Sequence, residues 1–169
     1  MDDYLESVRG EFARYQGLGE KALAQVTDDA RLHARLDSES NSLGVIVRHV
    51  GGNLASRWTD FLTSDGEKPD RNRDGEFEER LLSRAELLEV WKRGWTCLWG
   101  TLSSLRPADL ARKVTIRGES QSVVRAIERS LAHTAYHVGQ LVFLSKHLAS
   151  DRWQTLSIAR GKSKDFRPR

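Results

Sequence analysis

The chain has 169 residues, 38% of them hydrophobic and 30% charged, which suits one globular domain over residues 1–169 and excludes a disordered chain. Its net charge of +3 is too small to mark a nucleic-acid-binding protein, and its single cysteine excludes an intramolecular disulfide and a cysteine-based zinc cluster. Because it has no long apolar run and no secretory signal core, the sequence predicts a cytoplasmic protein that makes no membrane contact.

Four segments carry hydrophobic residues at helical spacing. They cover about residues 3–26, 42–63, 84–105 and 120–149, the last of them beginning at Ser120 or Ser122. Asn41 is a favourable N-cap for the second predicted helix. Ser83 and Glu86 form a capping box that opens the third.

Four helices of this length predict an all-α protein, a four-helix bundle. The connection between the second and third helices, Ser64 to Leu82, is long and charged. Such a loop is typically functional or has structure of its own. Strand patterns are nearly absent, and the alternation at Lys113–Ile116 is so short that we predict an extended loop there.

Three of the five histidines lie at the border of an apolar helix face. His133 and His137 are four residues apart on the fourth predicted helix and therefore share a face beside the buried stripe. His49 holds the same kind of position on the second predicted helix. Two bundle helices of this kind can bring three imidazoles together, whereas we expect His33 and His147 at the surface.

Three neutral imidazoles suit zinc, nickel or iron, and three protein ligands leave positions open for water or substrate. The pattern therefore allows a catalytic metal site at His49, His133 and His137. A simpler interpretation stays open, because two histidines at this spacing also arise by chance as solvated or hydrogen-bonded side chains. Thr134 replaces the glutamate of the HExxH zinc-peptidase motif, which argues against peptidase chemistry.

Polar residues continue from these histidines along both helices. Asn53 and Arg57 follow His49 at intervals of four and turn into the apolar face, where packing alone would place apolar residues. Gln140 comes three residues after His137 and lies on nearly the same face. We predict that these three residues orient the ligands or the substrate, with Arg57 suited to a carboxylate.

A tryptophan stripe and a basic tail are the two other notable features of the sequence. Trp91, Trp95 and Trp99 repeat every four residues, which is typical of a core or a subunit interface. The C-terminal segment, residues 160–169, is a basic tail that carries Arg160, Lys162, Lys164, Arg167 and Arg169. A solvated or surface-docked tail is the preferred interpretation, because no aromatic platform or helix-turn-helix pattern accompanies it.

Three stretches of the sequence resemble an uncharacterised branch of the DinB-like (damage-inducible) superfamily. They are NSLGVIVRHVGGNLASRWTDFLTSDGEKPDRNRDGEFE from Asn41 to Glu78, AHTAYHVGQLVFLSKHL from Ala132 to Leu148, and WQTLSIARGKSKDF from Trp153 to Phe166. The resemblance implies a four-helix bundle, commonly a homodimer, with a divalent metal held by one histidine of the second helix and two of an HxxxH motif in the fourth. Here those positions are His49, His133 and His137.

Better-known relatives of this branch include S-transferases that use bacillithiol or mycothiol, and a mycothiol-dependent isomerase. This branch has no agreed activity, and the three histidines with open coordination positions make a divalent-metal-dependent transferase or hydrolase with a small-molecule substrate the leading hypothesis. Zinc or nickel is the expected metal, with iron or manganese as alternatives, and a low-molecular-weight thiol is the implied co-substrate. A non-catalytic metal-binding or stress-response module is the alternative hypothesis, because no general acid or base is evident beside the histidines. Nucleic-acid binding through the tail is a third.

Overall fold

The computed structural model describes residues 2–78, 80–165 and 167. Over these residues the protein is mostly helical, with four α-helices and a small two-stranded sheet, so the predicted all-α class holds in the broad sense. The helices are α1 (Asp2–Ala24), α2 (Leu43–Trp58), α3 (Arg84–Ser104) and α4 (Val123–Ala149). None of these described helices is both long enough and apolar enough to cross a membrane.

Capping residues determine where three of the helices begin. The Ser83 hydroxyl accepts the backbone N–H of Glu86, whose carboxylate accepts the backbone N–H of Ser83, so the predicted capping box opens α3. The N-cap of α2 is Ser42 and not Asn41, because the Ser42 hydroxyl accepts a backbone N–H of the first turn. Of the two predicted starts of α4, the structure has Ser122 as the N-cap.

The helix α2 ends at Trp58, earlier than the predicted end near Thr63. The chain leaves the helix at Thr59, whose backbone is extended with a ψ of 128°, and Asp60 follows with a φ of 48° in the left-handed region. The Asp60 carbonyl then accepts the backbone N–H groups of Thr63 and Ser64, which form a turn. Hydrophobic spacing does not reveal this break, because Phe61 is still buried beyond it.

A β-hairpin stands where the sequence analysis predicts an extended loop, so that prediction is wrong. The strand β1 (Lys113–Ile116) pairs antiparallel with β2 (Glu119–Ser122). Arg117 and Gly118 form the turn with φ angles of 56° and 77°, and a two-residue turn of the favoured twist needs two positive φ angles. The second strand, Glu-Ser-Gln-Ser, has no alternating apolar residues, and patterning therefore misses it.

The helix α2 packs against both α3 and α4, and α4 also packs against α1. Two glycines let α2 and α3 approach closely. A Cβ on Gly51 would come within 2.5 Å of the Val90 carbonyl oxygen, and a Cβ on Gly94 within 2.6 Å of the Gly51 carbonyl oxygen. Trp91 and Trp95, the first two residues of the predicted tryptophan stripe, are buried in the hydrophobic core, as the core interpretation requires.

The long connection between α2 and α3 has structure of its own, as its length predicts. It contains a 3-10 turn at Asp74–Glu76. The carboxylate of Asp65 accepts the backbone N–H groups of Arg117 and Gly118, each at 2.8 Å. These two hydrogen bonds fasten the connection to the turn of the hairpin.

The basic tail is exposed wherever it is described. Its exposed cationic residues are Arg160, Lys162, Lys164 and Arg167. Lys162 forms an ion pair with Asp165 at 3.4 Å. Arg169, which the sequence analysis counts in the tail, lies outside the described residues.

Candidate metal centre

Three histidines from two helices meet at one point. His49 of α2 and His133 and His137 of α4 each offer a ring nitrogen, and these nitrogens lie within 4.8 Å of one another. The Nε2 atoms of His49 and His133 are 3.0 Å apart. Within the described part of the chain, this is the group of histidine, cysteine or acidic side chains that is placed to share a metal ion.

Hydrogen bonds at the Nδ1 atoms set the tautomer of two of the rings. His49 Nδ1 lies 2.9 Å from Glu76 Oε2, and His137 Nδ1 lies 2.9 Å from Gln140 Oε1. Because carboxylate and amide oxygens only accept hydrogen bonds, both Nδ1 atoms carry the proton. Both Nε2 atoms are therefore left with a lone pair, which is what a metal ligand needs.

The donor set fits a divalent transition metal. The lone pair of His49 Nε2 faces His133 Nε2 at 3.0 Å, so a proton or a cation must lie between two such nitrogens to hold them together. Two nitrogens bound tetrahedrally to one zinc ion lie about 3.3 Å apart, which is close to this separation. The buried Nδ1 of His133 has no hydrogen-bond partner among the described residues.

Burial keeps the two imidazoles of α4 neutral. It lowers the pKa of His133 to about 3, and the nearby His137 and His49 rings lower that pKa further. Burial and His49 also lower the pKa of His137, while the hydrogen bond with Gln140 opposes them. Metals bind neutral imidazole, so both rings are in the ligating form at neutral pH.

Glu76, in the long connection, stands behind His49 and was missed by the sequence analysis. Its side chain is 10% exposed, and Arg71 holds both carboxylate oxygens through two hydrogen bonds of 2.8 Å. Burial raises the pKa of Glu76, but the hydrogen bonds from His49 and Arg71 and the charge of Arg71 together lower it. An ionised carboxylate behind a histidine fixes the ring and raises its basicity as a ligand.

Two residues of α2 bring the connection to the histidines. The buried Arg48 side chain donates to the backbone carbonyls of Gly75 and Glu78, which flank Glu76. Gly52 leaves room for the Glu76 carboxylate, with which a Cβ would collide. A glycine inside a helix costs about 1 kcal/mol relative to alanine, so the Gly-Gly pair in α2 is the signal that could have indicated close approaches here.

The sequence matches, over residues 1–162, the family described as "Protein of unknown function (DUF1572)". The chain belongs to the DUF1572 family. That family is DinB-like in the broad sense, which agrees with the general part of the resemblance described above. No curated protein and no solved structure matches this DUF1572 chain significantly.

A cavity of about 310 Å³ opens beside the three histidines of this DUF1572 protein. Asn53 and Arg57, two of the residues predicted to orient ligands or substrate, line the cavity, and Asn53 is buried. Arg57 Nη2 pairs with Glu67 at 3.2 Å. The third predicted residue, Gln140, is placed at Nδ1 of His137.

The two remaining histidines of the DUF1572 chain lie apart from the centre. His147 is exposed, as predicted. His33 is half-buried, and its Nε2 lies 2.8 Å from the Leu82 carbonyl oxygen, so the prediction of a surface position holds only in part for this residue. The reason is that His33 ends a short 3-10 helix, Asp29–His33, and its imidazole ring packs against Gly44 at the start of α2.

Proposed function

We propose that the three histidines hold one divalent transition metal and that the protein is a metal-dependent transferase or hydrolase, built on the four-helix bundle of the DinB-like proteins. The observation that carries the proposal is the convergence of three ring nitrogens at the wall of an open cavity. Three protein ligands suit a catalytic site, because positions remain for water or substrate. Zinc and nickel are the proposed metals, with iron and manganese as alternatives.

Each residue of the site has a proposed task. A divalent metal on three imidazoles lowers the pKa of a bound thiol or water and so supplies a nucleophile near neutral pH. Glu76 and Gln140 keep the protons of their histidines on Nδ1 and hold both rings in the ligating tautomer. Asn53 and Arg57 orient the substrate in the cavity. A low-molecular-weight thiol is the proposed co-substrate of a transfer reaction.

A specific observation favours a second candidate, a non-catalytic metal-binding module that acts as a homodimer. Among the described residues that line the cavity, no carboxylate, cysteine, lysine or tyrosine is present to act as a general acid or base. The helix α4 also carries Tyr136 and Phe143, which are 63% and 68% exposed and offer apolar surface to a second copy. Turnover distinguishes the two candidates.

Metal content tests the proposal first. Protein purified without a metal-binding tag is analysed by elemental mass spectrometry beside a His133→Ala/His137→Ala variant. We expect about one metal per chain in the parent and none in the variant. His147→Ala is the matched control, since His147 is exposed on the same helix, and it should retain the metal. A parent that takes up no zinc, nickel or manganese on reconstitution would contradict the proposal.

Catalysis is tested on the metal-loaded protein. It is assayed for conjugation of low-molecular-weight thiols to a set of electrophiles and for hydrolysis of esters and amides. Turnover that disappears together with the metal in His49→Ala supports an enzyme. Full metal occupancy with no turnover in either assay supports the binding module.

A further inference from the structure

We infer that the cavity beside the three histidines binds a substrate that carries a carboxylate or phosphate group, and that Arg57 and Arg129 receive this group. The inference rests on the proposed function for the role of the cavity, whereas the charge of the cavity does not depend on a metal. Four arginines line it, namely Arg57, Arg73, Arg117 and Arg129. None of its described lining residues is an aspartate or a glutamate.

Arg57 is the most buried of the four arginines, with 11% of its side chain exposed. Its Nη2 pairs with Glu67 at 3.2 Å, while its Nη1 is buried and has no hydrogen-bond partner in the described part of the chain. A guanidinium stays charged inside a protein, and a buried donor left unpaired is costly. Arg57 lines the cavity, so a small turn of its guanidinium would bring this enclosed donor to an anionic group there. Such charge-assisted hydrogen bonds are among the strongest that proteins make.

The nearby carboxylates balance the arginines only in part. Glu67 faces three guanidiniums at distances of 3.1 to 3.2 Å. They belong to Arg57, Arg71 and Arg117. Arg71 is also held by Glu76, and Arg73 pairs with Asp74 at 3.8 Å. Burial lowers the pKa of Arg57, and Glu67 opposes this effect. The charges of three neighbouring arginines also lower that pKa, because positive charge surrounds the residue. The excess attracts an anion to the cavity.

The rest of the wall limits the size and shape of the substrate. Phe77, Ile116 and Ala126 supply apolar surface, while Asn53 and Ser130 offer neutral hydrogen-bonding groups. At about 310 Å³ the cavity takes a small molecule. Because arginines and histidines line the same cavity, a substrate held by its anionic group can present its reacting group to the histidine centre.

Binding of three small probes to the full chain tests the inference. Succinate and methyl phosphate represent the two anionic groups, and succinamide is the neutral match of succinate. By isothermal titration calorimetry we expect at least one anion to bind roughly tenfold more tightly than succinamide, and less tightly as salt is added. The stronger anion identifies carboxylate or phosphate as the preferred group. The inference is overturned when neither anion binds more tightly than succinamide.

Three variants locate the bound anion. Arg57→Gln removes the buried guanidinium and should weaken binding about tenfold, and Arg129→Gln, which changes an exposed side chain, should weaken it about threefold. Arg125→Gln is the matched control, because Arg125 is exposed one turn earlier on α4 and is not among the lining residues. It should change the affinity by less than about twofold. Unchanged affinity in Arg129→Gln overturns the inference, even where Arg57→Gln fails to fold.

The His133→Ala/His137→Ala variant separates this inference from the metal proposal. Its arginines are unchanged, so we expect it to bind the anion within about threefold of the parent although it takes no metal. The contrary result is that the double histidine variant loses anion binding together with the metal, while Arg129→Gln binds the anion as the parent does. That result would place the probe on the metal and overturn the inference. A parent chain that binds the anion through Arg57 and Arg129 but never a metal would contradict the proposed function alone.

Discussion

The two sides of α2 are packed in different ways. Toward α3, Gly51 lets two helix backbones meet within an apolar core. Toward the long connection, Gly52 admits a carboxylate, and the polar residues Arg48, His49 and Asn53 are buried. Neighbouring glycines therefore serve close packing on one side and the entry of a charged group on the other. Buried polar groups need partners, and the connection supplies them.

This difference predicts that the two sides fail separately. Changes on the α3 side should lower the free energy of unfolding and leave the metal affinity of the folded protein intact. Changes on the side of the connection should lower the metal affinity more than the stability, because the core is not touched.

The largest effect is expected for Gly94→Val, which should lower the free energy of unfolding by about 3 kcal/mol. A Cβ at this position would come within 2.6 Å of the Gly51 carbonyl oxygen, and the backbone of a packed helix cannot easily move aside. Urea unfolding measures the loss. The control is Gly100→Val on the same helix, where a Cβ meets nothing within 4 Å and the change should stay below about 1 kcal/mol. If both variants lost the same free energy of unfolding, helix propensity and not the close approach would explain the effect.

Glu76→Gln should lower the metal affinity roughly 10- to 100-fold, which corresponds to about 1.4 to 2.8 kcal/mol. The amide keeps the size of the side chain but removes the negative charge that faces His49 and Arg71. Competition with a chromophoric chelator measures the affinity. Glu78→Gln, an exposed position in the same connection, should leave the affinity unchanged. An affinity that Glu76→Gln does not alter would remove Glu76 from the proposed centre.

Gly52→Ala should have the smallest effect, a loss of metal affinity of about tenfold or less, because the flexible Glu76 side chain can shift away from the new methyl group. Alanine favours a helix over glycine by about 1 kcal/mol, so the stability should hold or rise while the metal affinity falls. The Gly52→Ala/Glu76→Gln double variant should lose no more affinity than Glu76→Gln alone. Additive losses would show that the methyl group acts through another residue.

The helices could be predicted from the sequence because their signals are local. Apolar spacing and the capping box at Ser83 depend on residues within a few positions of one another. The hairpin could not be predicted in this way, since its second strand has a single buried residue, Gln121, and is held by pairing with β1. The early end of α2 at Trp58 depends on the backbone angles of Thr59 and Asp60, which apolar spacing does not encode.

The residues of the candidate site also differ in whether local sequence signals could predict them. Helical geometry relates His133 to His137 and puts His49 at the edge of its own helix, and the packing of α2 against α4 brings the three together. Glu76 comes from a connection without periodicity, and its position depends on Arg48 and Arg71 holding that connection in place. Contacts of this kind are tertiary, and a single sequence carries no repeating signal for them.

Acid acts on the junction between the long connection and the hairpin through Asp65. The backbone N–H groups of Glu67, Gly118 and Arg117 lower the pKa of Asp65 below its ordinary 3.8, although burial opposes them. A carboxyl group whose pKa is lower in the folded state favours folding above pH 3.8, and this contribution disappears as the pH falls through the lowered value. Strong acid therefore weakens the attachment of the hairpin turn, so the placement of Arg117 at the cavity depends on proton concentration while its own charge stays constant.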